Sequence, residues 1–201
     1  MPDRDQPAGL DDEDAAFARW LFAQPCLFFA GAASEERLPP SQVPEVAFVG
    51  RSNVGKSSLV NALTGQKTLA KVSRTPGRTQ QLNFFDLAGR LTLVDLPGYG
   101  YAKAAKTSIE AWTQLTQRYL KGRRGLERVL VLIDARHGLK TSDRSVMEAL
   151  DEAARPYQLI LTKGDLVKAA GRESLVAKVA EEAARFRAAH PQVILTSAEK
   201  G

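Results

Sequence analysis

Gly50-Arg51-Ser52-Asn53-Val54-Gly55-Lys56-Ser57 follows the apolar run Val46-Ala47-Phe48-Val49 and precedes Leu59, Val60 and Leu63 at helical spacing. It matches G-x-x-x-x-G-K-[ST] in the context that motif needs, between a strand buried on both faces and a helix. Glycines let the backbone curl so that amide N–H groups face phosphates. Lys56 would reach the β and γ phosphates, Ser57 would ligate magnesium through its hydroxyl, and the helix N-terminus adds the positive end of its dipole. The motif specifies a nucleoside triphosphate and leaves the base open.

Working outward, strands and helices alternate. The helix through Leu63 ends near Gly65, and residues 66–80 read as a long polar loop. Leu82 to Leu87 and Leu91 to Val94 are predicted strands, joined as a hairpin through Ala88-Gly89-Arg90. Trp112, Leu115 and Tyr119 share a helical face and read as core. Val129 to Ile133 is a buried strand, followed by helix 141–154, strand 157–161, helix 171–189 and strand 192–196. This order implies an α/β fold, a P-loop three-layer architecture with a mostly parallel sheet and one antiparallel strand pair. Residues 1–40 form an N-terminal extension: a polar tail over the first 16 or so residues, then Phe17 to Ala30 docking as a short helix and an edge strand. The nucleotide domain spans 41–201. After Val193 to Leu195 only the turn to Gly201 remains. The last strand therefore lacks a covering helix: either further residues after Gly201 supply it, the reading favoured here, or Phe17 to Ala30 folds over the gap.

The 201 residues suit one domain, and no apolar run nears the roughly 20 residues of a membrane helix. The acidic N-terminus is unlike a secretory signal, and Cys26, the single cysteine, reads as a buried free thiol; both point to the cytoplasm. The net charge of +5 is asymmetric: residues 1–14 carry −5, leaving +10 on the rest. A basic body suits a polyanionic partner such as RNA. Lys67, Lys71, Arg74 and Arg78, and then Lys103, Lys106, Arg118, Lys121, Arg123 and Arg124, are candidate RNA contacts or a solvated face.

Guanine is indicated by Thr162-Lys163-Gly164-Asp165, directly after a buried strand and resembling [NT]-K-x-D. The Asp165 carboxylate only accepts hydrogen bonds, and guanine offers a ring N–H beside an amino group. Adenine would leave that carboxylate unpaired. The Lys163 stem can lie along the base. Thr196-Ser197-Ala198 follows the next strand and resembles the last element of this nucleotide class, whose backbone N–H meets the guanine carbonyl. Asp95-Leu96-Pro97-Gly98 matches D-x-x-G: Asp95 would hold magnesium through water, and the Gly98 N–H would meet the γ-phosphate. Thr75 and Thr79 both qualify chemically as the magnesium threonine.

Together with Thr75-Pro76-Gly77-Arg78-Thr79-Gln80, Asn83-Phe84-Phe85, Asp95-Leu96-Pro97-Gly98-Tyr99-Gly100-Tyr101-Ala102 and Asp134-Ala135-Arg136-His137, these residues resemble the EngB family (YsxC or YihA) of the TrmE-Era-EngA-EngB-Septin-like GTPases. The resemblance covers about residues 38–201. It implies a cytoplasmic GTPase, with GTP or GDP and Mg2+ as ligands; a monomer is expected. Its partner would be the large ribosomal subunit or its precursor, both rRNA and ribosomal proteins, with a link to division and septation. It favours Thr79 for magnesium, and Gly77, Arg78, Thr79, Gln80 and Gln81 as nucleotide contacts. Asn53 either shapes its loop or lends its side-chain oxygen to a K+ ion, as in related GTPases.

The catalytic set is Lys56, Thr79 and Gly98. By analogy with Ras a water-positioning glutamine is expected after D-x-x-G, but Tyr99 stands there, so slow hydrolysis is expected. Residues 66–81 and 97–106 would reorder with the γ-phosphate. His137 and His190 read as loop and helix-end residues. Two other functions compete. A regulatory GTPase acting on a protein at the division site fits the motifs but makes no use of the basic body. An ATP-consuming metabolic kinase fails on Asp165.

Overall fold

The computed structural model describes residues 11–70, 81–99 and 106–200, the side chains of 106–113 excepted. In chain order the elements are α1 (Asp12–Phe22), β1 (Cys26–Ala32), β2 (Glu45–Gly50), α2 (Lys56–Leu63), β3 (Leu82–Leu87) and β4 (Leu91–Asp95). Then come α3 (Lys106–Gly122), β5 (Leu126–Asp134), α4 (Thr141–Glu152), β6 (Tyr157–Thr162), α5 (Ala169–Ala183) and β7 (Ile194–Leu195).

The seven described strands form one sheet in the order β1-β3-β4-β2-β5-β6-β7. Strand β3 runs against both neighbours, and every other pairing is parallel. The mostly parallel sheet with its β3–β4 hairpin is thus present, and β1 adds its edge ladder outside β3. Period-two alternation sends side chains of the central strands into two apolar layers. Ala47, Val49, Val129, Val131, Leu159 and Leu161 face a layer closed by α3, α4 and α5. Phe48, Leu132, Leu93 and Ile160 face one closed by α1 and α2. Each fully buried large side chain contributes about 1.5–3 kcal/mol.

The N-terminal region carries the expected short helix and edge strand, but the helix begins earlier than expected. Helix α1 starts at Asp12, inside the expected polar tail. Asp11 caps it by accepting the Asp14 N–H at 2.7 Å, and Asp12, Glu13 and Asp14 occupy the first turn. The acidic run is a helix N-terminus, where negative charge opposes the dipole favourably. Of the two readings offered for the last strand, cover by Phe17 to Ala30 is excluded, because β1 pairs with β3 at the opposite edge.

Helix α5 ends at Ala183 rather than 189. The Asp151 carboxylate captures the N–H groups of Arg187 and Ala188 at 2.8 and 2.9 Å, drawing the chain out of the helix. Residues 188–190 then pair with Tyr157, so His190 lies in irregular backbone beside β6, not at a helix end, and β7 is two residues long.

Cys26 is fully buried, and burial, then the Asp86 charge, push its thiol up to about 11. Since the thiolate is the reactive form, the folded protein is expected to resist a thiol reagent at pH 8 while the unfolded chain titrates one thiol. Equally rapid labelling of both would contradict this burial.

Candidate nucleotide site

Strands β2, β4, β5, β6 and β7 are co-directional, so their C-terminal ends lie along one rim, where α/β sheets bind ligands. The loop Gly50 to Ser57 leaves β2 there. Asn53 and Gly55 take left-handed backbone angles, with φ of 64° and 103°. Gly55 caps α2, whose first residues are Lys56 and Ser57. The first N–H groups of a helix have no intrahelical partner, so this turn aims donors at the rim. Val54 is buried and Arg51, Ser52 and Ser57 are half-buried beside it.

Asp95 ends β4 on the same rim and forms an ion pair with Lys56. Both side chains are largely buried, at 11% and 12% exposure. Leu96 is held by its N–H to the Phe48 carbonyl at 3.0 Å, and Pro97 is buried. Gly98 lies flat against the phosphate loop: a Cβ there would come within 3.1 Å of the Ser52 nitrogen. The Ser52 N–H donates to Tyr99 C=O at 3.1 Å, and the Tyr99 N–H to Gly50 C=O at 3.2 Å. Tyr99 itself is buried, and its hydroxyl donates to Asp143 at 2.7 Å. Burial, then the Asp143 charge, push that hydroxyl far above its ordinary value.

The base motif is tied to the phosphate loop. The Thr162 hydroxyl donates to Val54 C=O at 2.6 Å. The Lys163 ammonium donates to Asn53 C=O at 2.7 Å and to Asp134 at 2.9 Å. The Gly164 N–H donates to Thr196 C=O at 3.0 Å, and the Thr196 N–H to Leu161 C=O at 2.8 Å. Asp165 is half-exposed on the following turn. Ser197 is buried, and its hydroxyl oxygen accepts the N–H groups of Glu199 and Lys200 at 3.2 and 3.1 Å, with Ala198 between. The three sequence motifs therefore converge.

Thr75, Gly77, Arg78, Thr79, Gln80, Lys71, Arg74 and Lys103 lie outside the described residues, as do the side chains of Lys106 and Trp112. Gln81 is described: its amide donates to Asn83 at 3.1 Å and packs on Gly31 of β1. Tyr119 is core, 1% exposed, as expected. Arg123 is not a free basic surface residue. Its side chain is 10% exposed, and its guanidinium is bound to buried Glu45, with Nη2 at 2.6 Å. Glu45 was not singled out from sequence, where opening a buried strand is the one signal it offers; Asp134 was quoted within the 134–137 pattern but given no role in the site.

Among the described residues, no group of three or more His, Cys, Asp or Glu could hold a metal by itself. Asp95 and Ser57 nevertheless fit magnesium, which takes few protein oxygens and completes its shell with phosphate and water. No described helix is long and apolar enough to cross a membrane.

Residues 45–163 match the family model described as a 50S ribosome-binding GTPase. A curated Rhodospirillum rubrum protein named probable GTP-binding protein EngB is 54% identical over 200 residues, covering 95% of this chain and 87% of that one. The Ruegeria pomeroyi protein of the same name is 51% identical over 199 residues, covering 97% and 92%. Among solved structures, a probable GTP-binding protein engB superposes with a TM-score of 0.62 at 22% identity, covering 78% of this chain and 90% of that one. Era in complex with MgGDPNP and a segment of 16S ribosomal RNA gives 0.61 at 23% identity, covering 81% and 53%. These two show the fold.

Proposed function

The chain belongs to the EngB family of GTP-binding proteins, and from that premise we propose that it is a slow GTPase switch in the assembly of the large ribosomal subunit, working in the cytoplasm as a monomer. The observation that carries the nucleotide part is the convergence of Lys56, Asp95, Lys163 and the Thr196 turn on one rim of the sheet. The family description and the basic body support the ribosomal partner.

The Lys56–Asp95 ion pair suits a switch. Phosphate oxygens would claim Lys56, while Asp95 and Ser57, with Thr79, would hold magnesium. The ion would neutralise charge developing on the transferred phosphoryl group. The Gly98 N–H would then meet the γ-phosphate, and residues 66–81 and 97–106 would reorder. Asp165 would accept the guanine N–H and amino group, with the Lys163 stem along the base and Ser197-Ala198 at its carbonyl. Residues 77–81 would complete the contacts.

Slow turnover is supported by Tyr99. It occupies the position of the expected glutamine, yet its hydroxyl is committed to Asp143 and is not free to orient a water. Asn53, exposed at the loop tip, would lend its side-chain oxygen to a potassium ion. Turnover in K+ is then expected to exceed that in Na+ by about tenfold, a little over 1 kcal/mol of barrier. Equal rates in the two salts would rule the cation role out.

Sedimentation tests the ribosomal assignment. The protein should comigrate with large-subunit particles when loaded with a non-hydrolysable GTP analogue and remain at the top of the gradient with GDP. Failure to comigrate in either state would favour the second reading, a regulator acting on a protein at the division site.

A further inference from the structure

The base motif has a brace that its own residues do not supply. Asp134 ends β5, one strand away, and its carboxylate is shared by two cations. Oδ1 accepts the Arg136 Nε–H at 2.9 Å and the Arg136 backbone N–H at 3.1 Å. Oδ2 accepts Arg136 Nη2 at 2.7 Å and the Lys163 ammonium at 2.9 Å. Burial opposes the charge, but the hydrogen bonds from Arg136 and Lys163 outweigh it and hold this carboxyl well below the usual range.

Lys163 has a backbone φ of 59°, a left-handed conformation that a side-chain-bearing residue keeps only where its surroundings over-determine it. Here they do. Its ammonium is fixed at both Asn53 C=O and Asp134. Its Cε passes 3.7 Å from where a Cβ on Gly55 would lie, so the stem crosses the phosphate loop. The flanking Thr162 hydroxyl and Gly164 N–H are also bonded.

We propose that Asp134 is a positioning residue for guanine-nucleotide retention: it pins the Lys163 ammonium so that the stem is set as a fixed rail for the base. The inference rests on the reading that the Lys163 stem lies along the base. A lysine stem is rich in rotamers, and fixing it before the ligand arrives removes that ordering cost from binding. Arg136 keeps the carboxylate turned toward Lys163. Asp134 touches no part of the nucleotide in this scheme and acts only through Lys163.

The test is a double-mutant cycle read by the release rate of a fluorescent GDP analogue chased with excess GDP. Asp134→Ala should speed release about tenfold, the scale of one charge-assisted hydrogen bond. In a Lys163→Met background, which keeps a stem but lacks the ammonium, the same change should alter release by less than about twofold. An effect of Asp134→Ala below about threefold, or an equal effect in both backgrounds, overturns the inference. The equal effect would mark a merely structural role at the end of β5. Asp134→Asn replaces Asp134→Ala, with the same criteria, if thermal unfolding shows the alanine variant does not fold. Asp165→Asn is run alongside. Unchanged release in that variant would remove the base-site reading itself, whereas faster release there with no effect at Asp134 would remove only the brace.

Discussion

Asp165→Asn is expected to lower GTP affinity by about 100-fold, because it removes a carboxylate that accepts two neighbouring donors and each such charged hydrogen bond is worth about 1.5–3 kcal/mol. The same variant should gain affinity for xanthine nucleotides. Xanthine carries a carbonyl where guanine has its amino group, and the asparagine amide can donate to it. Competition binding with GDP and XDP measures both halves. An unchanged GDP affinity would take Asp165 out of the base site. The fold should be indifferent, since Asp165 sits half-exposed on a turn.

Arg123→Ala is expected to cost about 3–5 kcal/mol of folding stability, the scale for stranding a buried charge. Glu45 is 1% exposed at the start of β2. Its carboxylate accepts the Tyr119 hydroxyl at 2.8 Å, Arg123 Nε at 2.9 Å and Ser41 Oγ at 3.0 Å, besides Arg123 Nη2. Arg123 also lies over the rings of Phe84 and Tyr119, at 5.6 and 6.0 Å. Burial, then the Glu45 charge, push the Tyr119 hydroxyl far above its ordinary value, so it stays a donor but brings no charge. Loss of Arg123 therefore leaves the carboxylate with neutral partners only. Glu45→Gln added to Arg123→Ala should recover much of the loss. Denaturant unfolding gives the numbers, and a change below about 1 kcal/mol in the single variant would contradict the buried-pair assignment.

Those two residues also show where sequence reasoning stops. The place of Asp165 was legible because its motif is local: four residues on the end of one buried strand. The phosphate loop, the hairpin and the β/α alternation were legible for the same reason. Arg123 looked like one of six cations between Lys103 and Arg124, and nothing within 20 positions names its partner. Glu45 is 78 residues away and meets it only because β2 and the end of α3 share one end of the sheet. Likewise, Asp151 stops α5 from across a helix pair, so the last turns of an apparently regular helix were lost to a side chain far back in the sequence. The acidic run at 11–14 was misassigned because clustered carboxylates are shared by polar tails and helix N-termini, and only the cap at Asp11 separates them. At the site, Asp134 was quoted for its family pattern and not for its job, which depends on β5 and β6 being neighbours.

On the reading proposed here, this rim is a guanine-nucleotide site built from Lys56, Asp95, Lys163 and Asp165. Titration of the protein with GDP and with ADP, both with magnesium, tests it most directly. GDP should saturate the site at concentrations about 100-fold or more below ADP, because a pocket built to pair both guanine donors leaves a carboxylate unpaired against adenine. Equal affinity for the two, or binding of neither, would contradict it.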